Sequence, residues 1–214
     1  MTKKRSKPGA AKTSAYHHGD LKRSLLAAAE LELAAKGVES FSLRGVAKRA
    51  GVSHGAPAHH FTDADGLLTA LAARGYARFV AAQDAREKAA GDDPRERLAA
   101  SGLGYMDFAL ANPALFRLMF ASNRPDRDDP ELAGAADRAF EKLVRHIQSL
   151  RGRDPHSDTE AMSDVLAVWA VAHGLSDLMT DGRLDRATHL KTLSPAERDR
   201  VFADIILRAA PHQV

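Results

Sequence analysis

The chain has 214 residues, of which 44% are hydrophobic and none is cysteine. This length and apolar content exclude a chain that is disordered throughout, and the lack of cysteine excludes disulfides, thiolate metal sites and a cysteine nucleophile. No apolar run approaches the roughly 18 residues of a membrane-spanning helix, and the N-terminus lacks the apolar segment of a signal peptide, so we expect a soluble cytoplasmic protein without membrane partners.

Charge is distributed unevenly along the chain. Residues 1–60 carry 11 Lys and Arg against 4 Asp and Glu, whereas the other 154 residues carry 20 against 24. A basic end on an acidic body indicates a polyanionic partner for that end. Residues 1–16 have no apolar face and are expected to form a disordered basic arm, which could also serve solubility alone.

Apolar residues recur with a period near 3.6, and no stretch shows the sustained alternation of a strand, so the predicted fold class is all-α. Asp20 is expected to cap a first helix that runs from Leu21 and stops at Gly37. Ser42 is expected to cap a second, short helix over Leu43–Ala50.

A tight turn at Gly51 follows that second helix, and Ser53 is expected to cap a third one at about His54–His60. Gly51 suits a turn that needs positive φ, and Val52 and Phe61 supply apolar contacts at the two ends of the short helix. Two short helices joined in this way describe a helix-turn-helix unit, which places the third helix in a DNA groove.

The same stretch, GVSHGAPAHHF, allows other interpretations. Gly51–Gly55 fits the G-x-S-x-G pattern of a small hydrolase with Ser53 as nucleophile, but that pattern needs a strand where a helix is predicted. His54, His59 and His60 suggest a metalloenzyme, although His59 and His60 would lie about 100° apart on a helix. A purely structural helical hairpin is a further alternative.

Thr62-Asp63 signals the start of a fourth helix, predicted from about Ala64 to Ala89. The breaker Ala90–Pro94 separates it from the remaining helices. These are expected at about 95–111, 113–121, 131–150, 158–180 and 195–209, which gives about nine helices in total. The predicted units are a basic arm (1–16), a three-helix DNA-binding domain (17–63), a connecting helix (64–90) and a helical domain for ligand binding and dimerisation (91–214).

The segment Tyr16–Leu68 resembles the DNA-binding domain of the TetR/AcrR family of transcriptional regulators. The resemblance rests on ordered spacing rather than on any one residue: a helix ending in Gly37, then Ser42-Leu43, Val46-Ala47, Ala50-Gly51-Val52-Ser53 and His60-Phe61.

Farther along, YMDFALANPALFRLMF (Tyr105–Phe120) and WAVAHGL (Trp169–Leu175) resemble the regulatory domain called WHG. Its tryptophan, histidine and glycine correspond to Trp169, His173 and Gly174. Gly174 in mid-helix predicts that a crossing helix, from the same chain or from a partner, packs closely there.

The family resemblance implies a homodimer that inserts its recognition helices into a palindromic operator on double-stranded DNA. It further implies a repressor that a small apolar or amphipathic effector releases, with no enzymatic activity and neither cofactor nor metal. The DNA-facing candidates carried over from the family, together with His54 and the basic residues beside them, are Lys22, Arg23, Ser42, Arg44, Lys48, Ser53, His54, Gly55, Pro57, His59 and His60.

Two positions depart from the family pattern. Ala58 stands where the family usually has an aromatic residue, and Ala64 stands near its usual lysine. Both usual residues serve phosphates, so a family member that has lost DNA binding is an alternative. If binding is retained, we expect phosphate contacts to depend on basic residues of the head and arm: Lys22, Arg23, Arg44 and Lys48, with Lys3, Lys4, Arg5, Lys7 and Lys12.

The helices beyond residue 91 supply candidates for the effector and for the partner chain. Clustered aromatic and sulfur-containing side chains indicate either a ligand pocket or ordinary core. The pocket candidates are Phe108, Phe116, Met119, Phe120, Trp169, His173 and Leu178. The dimer candidates, on the last two long helices, which the family commonly uses as an interface, are Val165, Val168, Ala172, Ile205, Ile206 and Ala209.

Overall fold

The computed structural model describes residues 13–211, with side chains from Leu21 onward. Over this range all regular structure is helical, as the periodicity predicts, and no helix is long and apolar enough to cross a membrane. The elements are α1 (Thr13–Lys36), α2 (Leu43–Ala50), α3 (Ala58–Phe61), α4 (Ala64–Glu87), α5 (Pro94–Ala111), α6 (Pro113–Ala121), α7 (Pro130–Arg151), α8 (Thr159–Thr180), α9 (Arg183–Ala187), a 3-10 helix (Leu190–Thr192) and α10 (Pro195–Ala209).

Two helix predictions need correction. Helix α1 already begins at Thr13 and runs through Asp20, so Asp20 does not start a helix. The sequence predicts an open connection between α8 and α10, but that segment contains α9 and the 3-10 helix. Both elements are too short to show a helical period in the sequence. Residues 13–16 of the predicted disordered arm belong to α1, and residues 1–12 lie outside the described range.

Local capping defines α2 and α4 as the sequence predicts. The Ser42 hydroxyl accepts a hydrogen bond from the Gly45 backbone N–H at 3.2 Å, and Gly51 ends α2 with φ of 67°. The Asp63 carboxylate accepts from the Gly66 N–H at 2.8 Å and so caps α4. These bonds satisfy backbone donors that a helix start otherwise leaves unpaired.

The recognition element is shorter than predicted. Only Ala58–Phe61 is α-helical, and residues 53–57 form a turn in which the Ser53 carbonyl accepts from the Ala56 N–H at 3.0 Å. Ser53 therefore does not cap α3; Pro57 occupies that position and makes no side-chain capping bond. Gly55 favours the turn because a glycine loses more conformational entropy than other residues when it is fixed in a helix. Pro57 suits the start of a helix because its missing N–H is not needed there.

A tight γ-turn at Thr62 joins the recognition element to α4. Thr62 has φ of 63° and ψ of −63°, and the Asp63 N–H donates to the Phe61 carbonyl at 2.6 Å. This conformation is strained for a residue with a side chain. It brings the Phe61 carbonyl so close to α4 that a Cβ at Gly66 would lie 2.2 Å from the oxygen, which explains the glycine.

Helix α4 belongs to both halves of the molecule. Its first turns contribute Leu67 and Leu68 to a head core with Leu25, Val46 and Phe61. Its later turns pack against α5 and α7 in the body, where α8 and α10 complete the bundle around a second cluster of buried apolar residues. One rigid element thus runs from the recognition turn into the body.

Candidate DNA-binding surface and ligand cavity

The head presents a continuous set of exposed polar and basic groups. Arg44 and Lys48 lie on the exposed side of α2 and make no ion pair with any described residue. Lys22 lies with its Nζ 5.9 Å from the centre of the Phe61 ring, within the range of a cation–π contact. The exposed candidates are Lys22, Arg23, Ser42, Arg44, Lys48, Ser53, His54, Gly55 and His59, while His60 is half-buried.

Pro57 is the exception among the predicted DNA contacts. The structure buries it at the start of α3, so it shapes the recognition turn and does not face outward. Ala58, by contrast, is exposed, and a Cβ at Gly55 would meet no atom within 4 Å. The outward surface of the recognition element is therefore made of small residues and histidines.

An ion pair with one buried partner connects α2 to α1 in the head. Glu32 on α1 is almost fully buried and receives the Arg49 guanidinium at 2.5 Å. A Cβ at Gly45 would collide with the Glu32 carboxylate, so the glycine makes room for the pair. Because Arg49 is engaged here, the cations of α2 that remain available to phosphates are Arg44 and Lys48.

Neither catalytic interpretation of GVSHGAPAHHF finds support in this geometry. Ser53 follows a helix and a turn, not the strand that a nucleophile elbow requires. His59 and His60 are successive residues of α3, and among the side chains described, those of residues 21–211, no group of three His, Asp or Glu is arranged to hold a metal ion.

A cavity of about 240 Å³ lies in the body between α4, α5, α7 and α8, with one residue from α6. Six aromatic rings form much of its wall, and a buried amide, Gln83, lies among them. The lining residues are Tyr76, Phe79, Gln83, Leu98, Ser101, Gly102, Tyr105, Phe120, Ala136, Asp137, Ala139, Phe140, Leu143, Val168, Trp169 and Ala172.

Tyr105 links two sides of this cavity through its hydroxyl. The oxygen lies 2.8 Å from Nδ1 of His173 on α8, and its ring packs edge-on against Phe79 at a centroid distance of 4.6 Å. Burial raises the pKa of Tyr105, and a hydrogen bond from Trp169 opposes that effect only in part. The phenol therefore stays neutral and acts as a hydrogen-bonding anchor between α5 and α8.

A charged cluster is buried next to the cavity. The Glu87 carboxylate receives Lys142 Nζ at 2.7 Å and His146 Nε2 at 3.1 Å. Burial by itself raises the pKa of Glu87, but the hydrogen bonds from His146 and Lys142 outweigh it and bring the pKa down to about 2. Ser101, which lines the cavity, also hydrogen-bonds this carboxylate.

The loop after α6 connects the cavity wall to the head. Phe120 lines the cavity, and four residues later Arg124 donates to the Asp65 carboxylate at 2.7 Å and to the Val38 carbonyl at 2.5 Å. The backbone N–H of Asp126 adds a bond to the Thr69 hydroxyl at 2.9 Å. A short segment thus touches the body cavity, the turn between α1 and α2, and the start of α4.

Family comparisons agree with this architecture. Residues 25–71 match the model described as bacterial regulatory proteins, tetR family, and residues 98–206 match the model described as tetracyclin repressor-like, C-terminal domain. The chain belongs to the TetR family. The description of the matched C-terminal model does not mention the WHG motif, so that narrower resemblance stays a prediction.

Two individual relatives are similar to the chain over different lengths. It is 39% identical over 98 residues to the HTH-type transcriptional regulator BetI of Stenotrophomonas maltophilia (strain R551-3), a match that spans 45% of this chain and half the length of that curated relative. A solved structure of a protein of unknown function from Rhodococcus sp. RHA1 is 32% identical, with a TM-score of 0.74 over 93% of this chain and all of that one.

A TetR-like transcriptional regulator from Rhodococcus sp. RHA1 shares the fold with a TM-score of 0.61 at 17% identity, over 88% of this chain and 94% of that one.

Only two of the seven ligand candidates line the cavity of this TetR-family chain: Phe120 and Trp169. Phe108, Phe116 and Met119 are buried in core contacts, His173 lies behind Tyr105, and Leu178 is an exposed residue of α8. Phe116 and Met119 lie outside the cavity because α6 packs against α1, α4 and α5, so its apolar residues do not all face one space. The lining groups that sequence reasoning missed include Tyr76, Phe79, Gln83, Ser101, Tyr105 and Phe140.

One signal for those missed residues is visible in the sequence. Tyr76, Phe79 and Gln83 are spaced so that they share a face of α4, and a glutamine on an otherwise apolar helix face is a sign of a polar group needed inside.

Four of the six predicted dimer residues lie inside the chain, and the assignment of the other two, Ile205 and Ala209, to an interface stays a prediction. Val165, Val168, Ala172 and Ile206 are buried within the chain itself, and Ile205 and Ala209 pack against the same internal cluster. Apolar β-branched residues on α8 form the side that faces the chain's own bundle, so they are not available to a second chain.

The outward face of α8 carries small residues. Ser163, Ala167 and Ala170 are exposed at helical spacing, and Gly174 continues the row. A Cβ at Gly174 would meet no atom within 4 Å, so the predicted crossing helix does not come from the described part of the same chain. Two large apolar side chains, Leu166 and Leu178, flank the row and are 50% and 38% exposed.

Proposed function

We propose that this TetR-family protein is a transcriptional repressor that binds a palindromic DNA operator as a homodimer and is released when a small molecule occupies the cavity. The observation that carries the proposal is the double role of α4. Its first turns support the recognition element through Leu67 and Leu68, and its later turns supply Tyr76 and Phe79 to the cavity. A molecule that displaces the cavity wall acts on the helix that positions the DNA-reading turn.

The chemistry of the head supports the DNA role. Arg44 and Lys48 can neutralise phosphates, and the exposed His54 and His59 can donate hydrogen bonds to base edges or phosphates. Gly55 and Ala58 let the backbone approach the groove closely. Since Ala58 offers no phenol to a phosphate, the basic arm is proposed to supply part of the electrostatic attraction. A role on chromosomal DNA would place the protein in the cytoplasm.

The outward face of α8 supports the homodimer. A row of Ser163, Ala167, Ala170 and Gly174 allows two helices to approach closely, because no bulky side chain separates their backbones. Leu166 and Leu178 beside the row are apolar surface that a partner would cover. The most economical partner is the same face of a second copy, since a two-fold axis pairs each patch with itself.

Selection of bound DNA from a random pool tests the function directly. We expect an enriched palindrome whose half-sites lie about one helical turn, or about 10 base pairs, apart. The double variant Arg44→Ala, Lys48→Ala should recover no enriched sequence. Arg153→Ala, which removes an exposed cation just after α7, should behave as the wild type. Failure of the wild type to enrich any sequence at low salt would favour a family member that has lost DNA binding.

A further inference from the structure

Of the residues that the structure describes, one charged residue lines the cavity, Asp137, and it bears on which effector the cavity can bind. We propose that the cavity takes a small organic cation with an apolar body, such as an alkylated ammonium compound, and discriminates against anions. This proposal rests on the proposed role of the cavity as the effector site, and it concerns which molecule the site selects.

The cavity wall carries charge of one sign only. The residues that line the cavity include no Lys, Arg or His within the described part of the chain, and their one charged member is Asp137 on α7. Asp137 is an exposed residue of the lining and makes no hydrogen bond or ion pair with residues 21–211. It is therefore a negative charge with no counter-ion of its own.

Aromatic rings adjoin this carboxylate. Phe140 lies one helical turn after Asp137, so the two residues are neighbours on α7. The Phe140 and Trp169 rings meet at a centroid distance of 5.8 Å and an angle of 66°, and Trp169 is 38% exposed. Aromatic faces attract cations through their quadrupole, and a nearby carboxylate reinforces that attraction.

The deeper wall offers no positive charge to an anion. Its polar groups are Tyr76, Gln83, Ser101 and Tyr105, all of which are neutral. Ser101 is engaged with Glu87, and the Tyr76 hydroxyl with Arg127. An anion held among these groups would lose its hydration without gaining a counter-ion. An amine or an ammonium group beside the exposed Asp137, with its apolar body inside, keeps both partial hydration and the attraction of that carboxylate.

The cations near the site, including the exposed Arg138 that follows Asp137 in the sequence, do not line the cavity. Lys142 and His146 pair with Glu87 and do not line the cavity. Arg127 approaches the Tyr76 hydroxyl, but its side chain is exposed and donates to the Ser122 carbonyl at 3.0 Å. Arg127 belongs to the loop after α6 and is not a lining residue, so its contact with the cavity wall is through the Tyr76 hydroxyl.

Trp169 makes a direct binding assay possible, because it is the one tryptophan in the sequence. We would titrate the full chain with benzyltrimethylammonium, with its neutral carbon isostere neopentylbenzene and with the anion phenylacetate, and follow Trp169 fluorescence. The cation should change the fluorescence at the lowest concentration, and phenylacetate should leave it unchanged across the same range.

Two variants test whether Asp137 is responsible for the preference of the cavity for cations. Asp137→Asn should weaken cation binding about fivefold, as expected for one partly solvated charge pair, and should leave the neutral probe unaffected. Asp185→Asn, which removes an exposed carboxylate of α9 outside the lining, should bind the cation as the wild type does. Equal or tighter binding of phenylacetate, no response to the cation up to millimolar concentration, or an unchanged affinity in Asp137→Asn would each overturn the proposal.

A parallel DNA-binding measurement separates this inference from the proposed function. If the cation binds at Trp169 and DNA stays bound, the selectivity is correct and the role of the cavity in release is wrong. If an anion releases the DNA while the cation does not bind, the selectivity is wrong and the role in release stands.

Discussion

Arg124 offers the sharpest test of how the body holds the head. Its guanidinium contacts the Asp65 carboxylate at the start of α4 and the Val38 carbonyl in the turn after α1. Replacement by methionine keeps most of the apolar stem and removes both interactions. We therefore expect Arg124→Met to loosen the head locally while the helices of the body stay intact.

The size of the effect follows from the exposure of each interacting group. The Arg124 side chain is 27% exposed and the Asp65 side chain 55%, so solvent screens the ion pair and its contribution is less than about 1 kcal/mol. The hydrogen bond to the Val38 carbonyl is partly buried and has a charged donor, so it contributes about 1.5 kcal/mol. The sum of about 2 kcal/mol corresponds to roughly thirtyfold more frequent opening of the segment.

Hydrogen exchange measures that opening by segment. Amides in the turn after Lys36 and in the first turns of α4 should exchange about thirtyfold faster in Arg124→Met than in the wild type, and those of α8 should not change. Arg153→Met is the matched control, because it removes an exposed pair with Asp158 far along the chain from the head. Equal exchange in Arg124→Met and the wild type would refute the role assigned to Arg124.

Four further predictions concern other parts of the molecule. The Glu87 carboxyl has its pKa lowered from 4.5 to about 2, so its contribution to the free energy of unfolding is complete above pH 4.5 and is lost as the pH falls toward 2. In an acid titration, the free energy of unfolding should therefore fall less steeply for Glu87→Gln than for the control Glu131→Gln at an exposed position. Gly66→Ala should lower the free energy of unfolding by about 1–3 kcal/mol in denaturant titrations, because the new Cβ collides with the Phe61 carbonyl, and an unchanged midpoint would refute the close approach. Ala170→Glu should give folded monomers by light scattering, and dimers would contradict the proposed face of α8. Deletion of residues 1–15 should flatten the plot of the logarithm of the DNA-binding constant against the logarithm of the salt concentration. Its slope should fall by about 0.9 for each phosphate that the arm neutralises, and an unchanged slope would show that the arm does not bind DNA.

Helix bounds could be predicted from the sequence where they are determined by residues within one turn. The caps Ser42 and Asp63 and the stop at Gly51 are single residues whose backbone preferences act within one turn, so the bounds of α2 and the start of α4 could be predicted. The length of α3 could not, because the turn through Gly55 and Pro57 competes with helix formation, and the tertiary packing of Phe61 decides between them.

The body was harder to predict because the roles of its residues depend on which helix faces meet. Phe116 and Trp169 look alike as aromatic residues in helical patterns, yet one is buried core and the other borders the cavity. Val168 is the kind of residue that an interface uses, but the bundle of its own chain covers it. The outward face of α8 is marked instead by small residues such as Ala170, which carry little signal in one sequence.

The central claim is that two copies of the chain bind one palindromic operator through the head. The mass of the complex between the protein and its selected operator tests this claim most directly. We predict two chains per palindromic site, a complex that does not form with the Arg44→Ala, Lys48→Ala variant, and no complex with a duplex that carries neither half-site at moderate salt. Binding of one chain per site, or equal binding to both duplexes in the wild type and the variant, would contradict the claim.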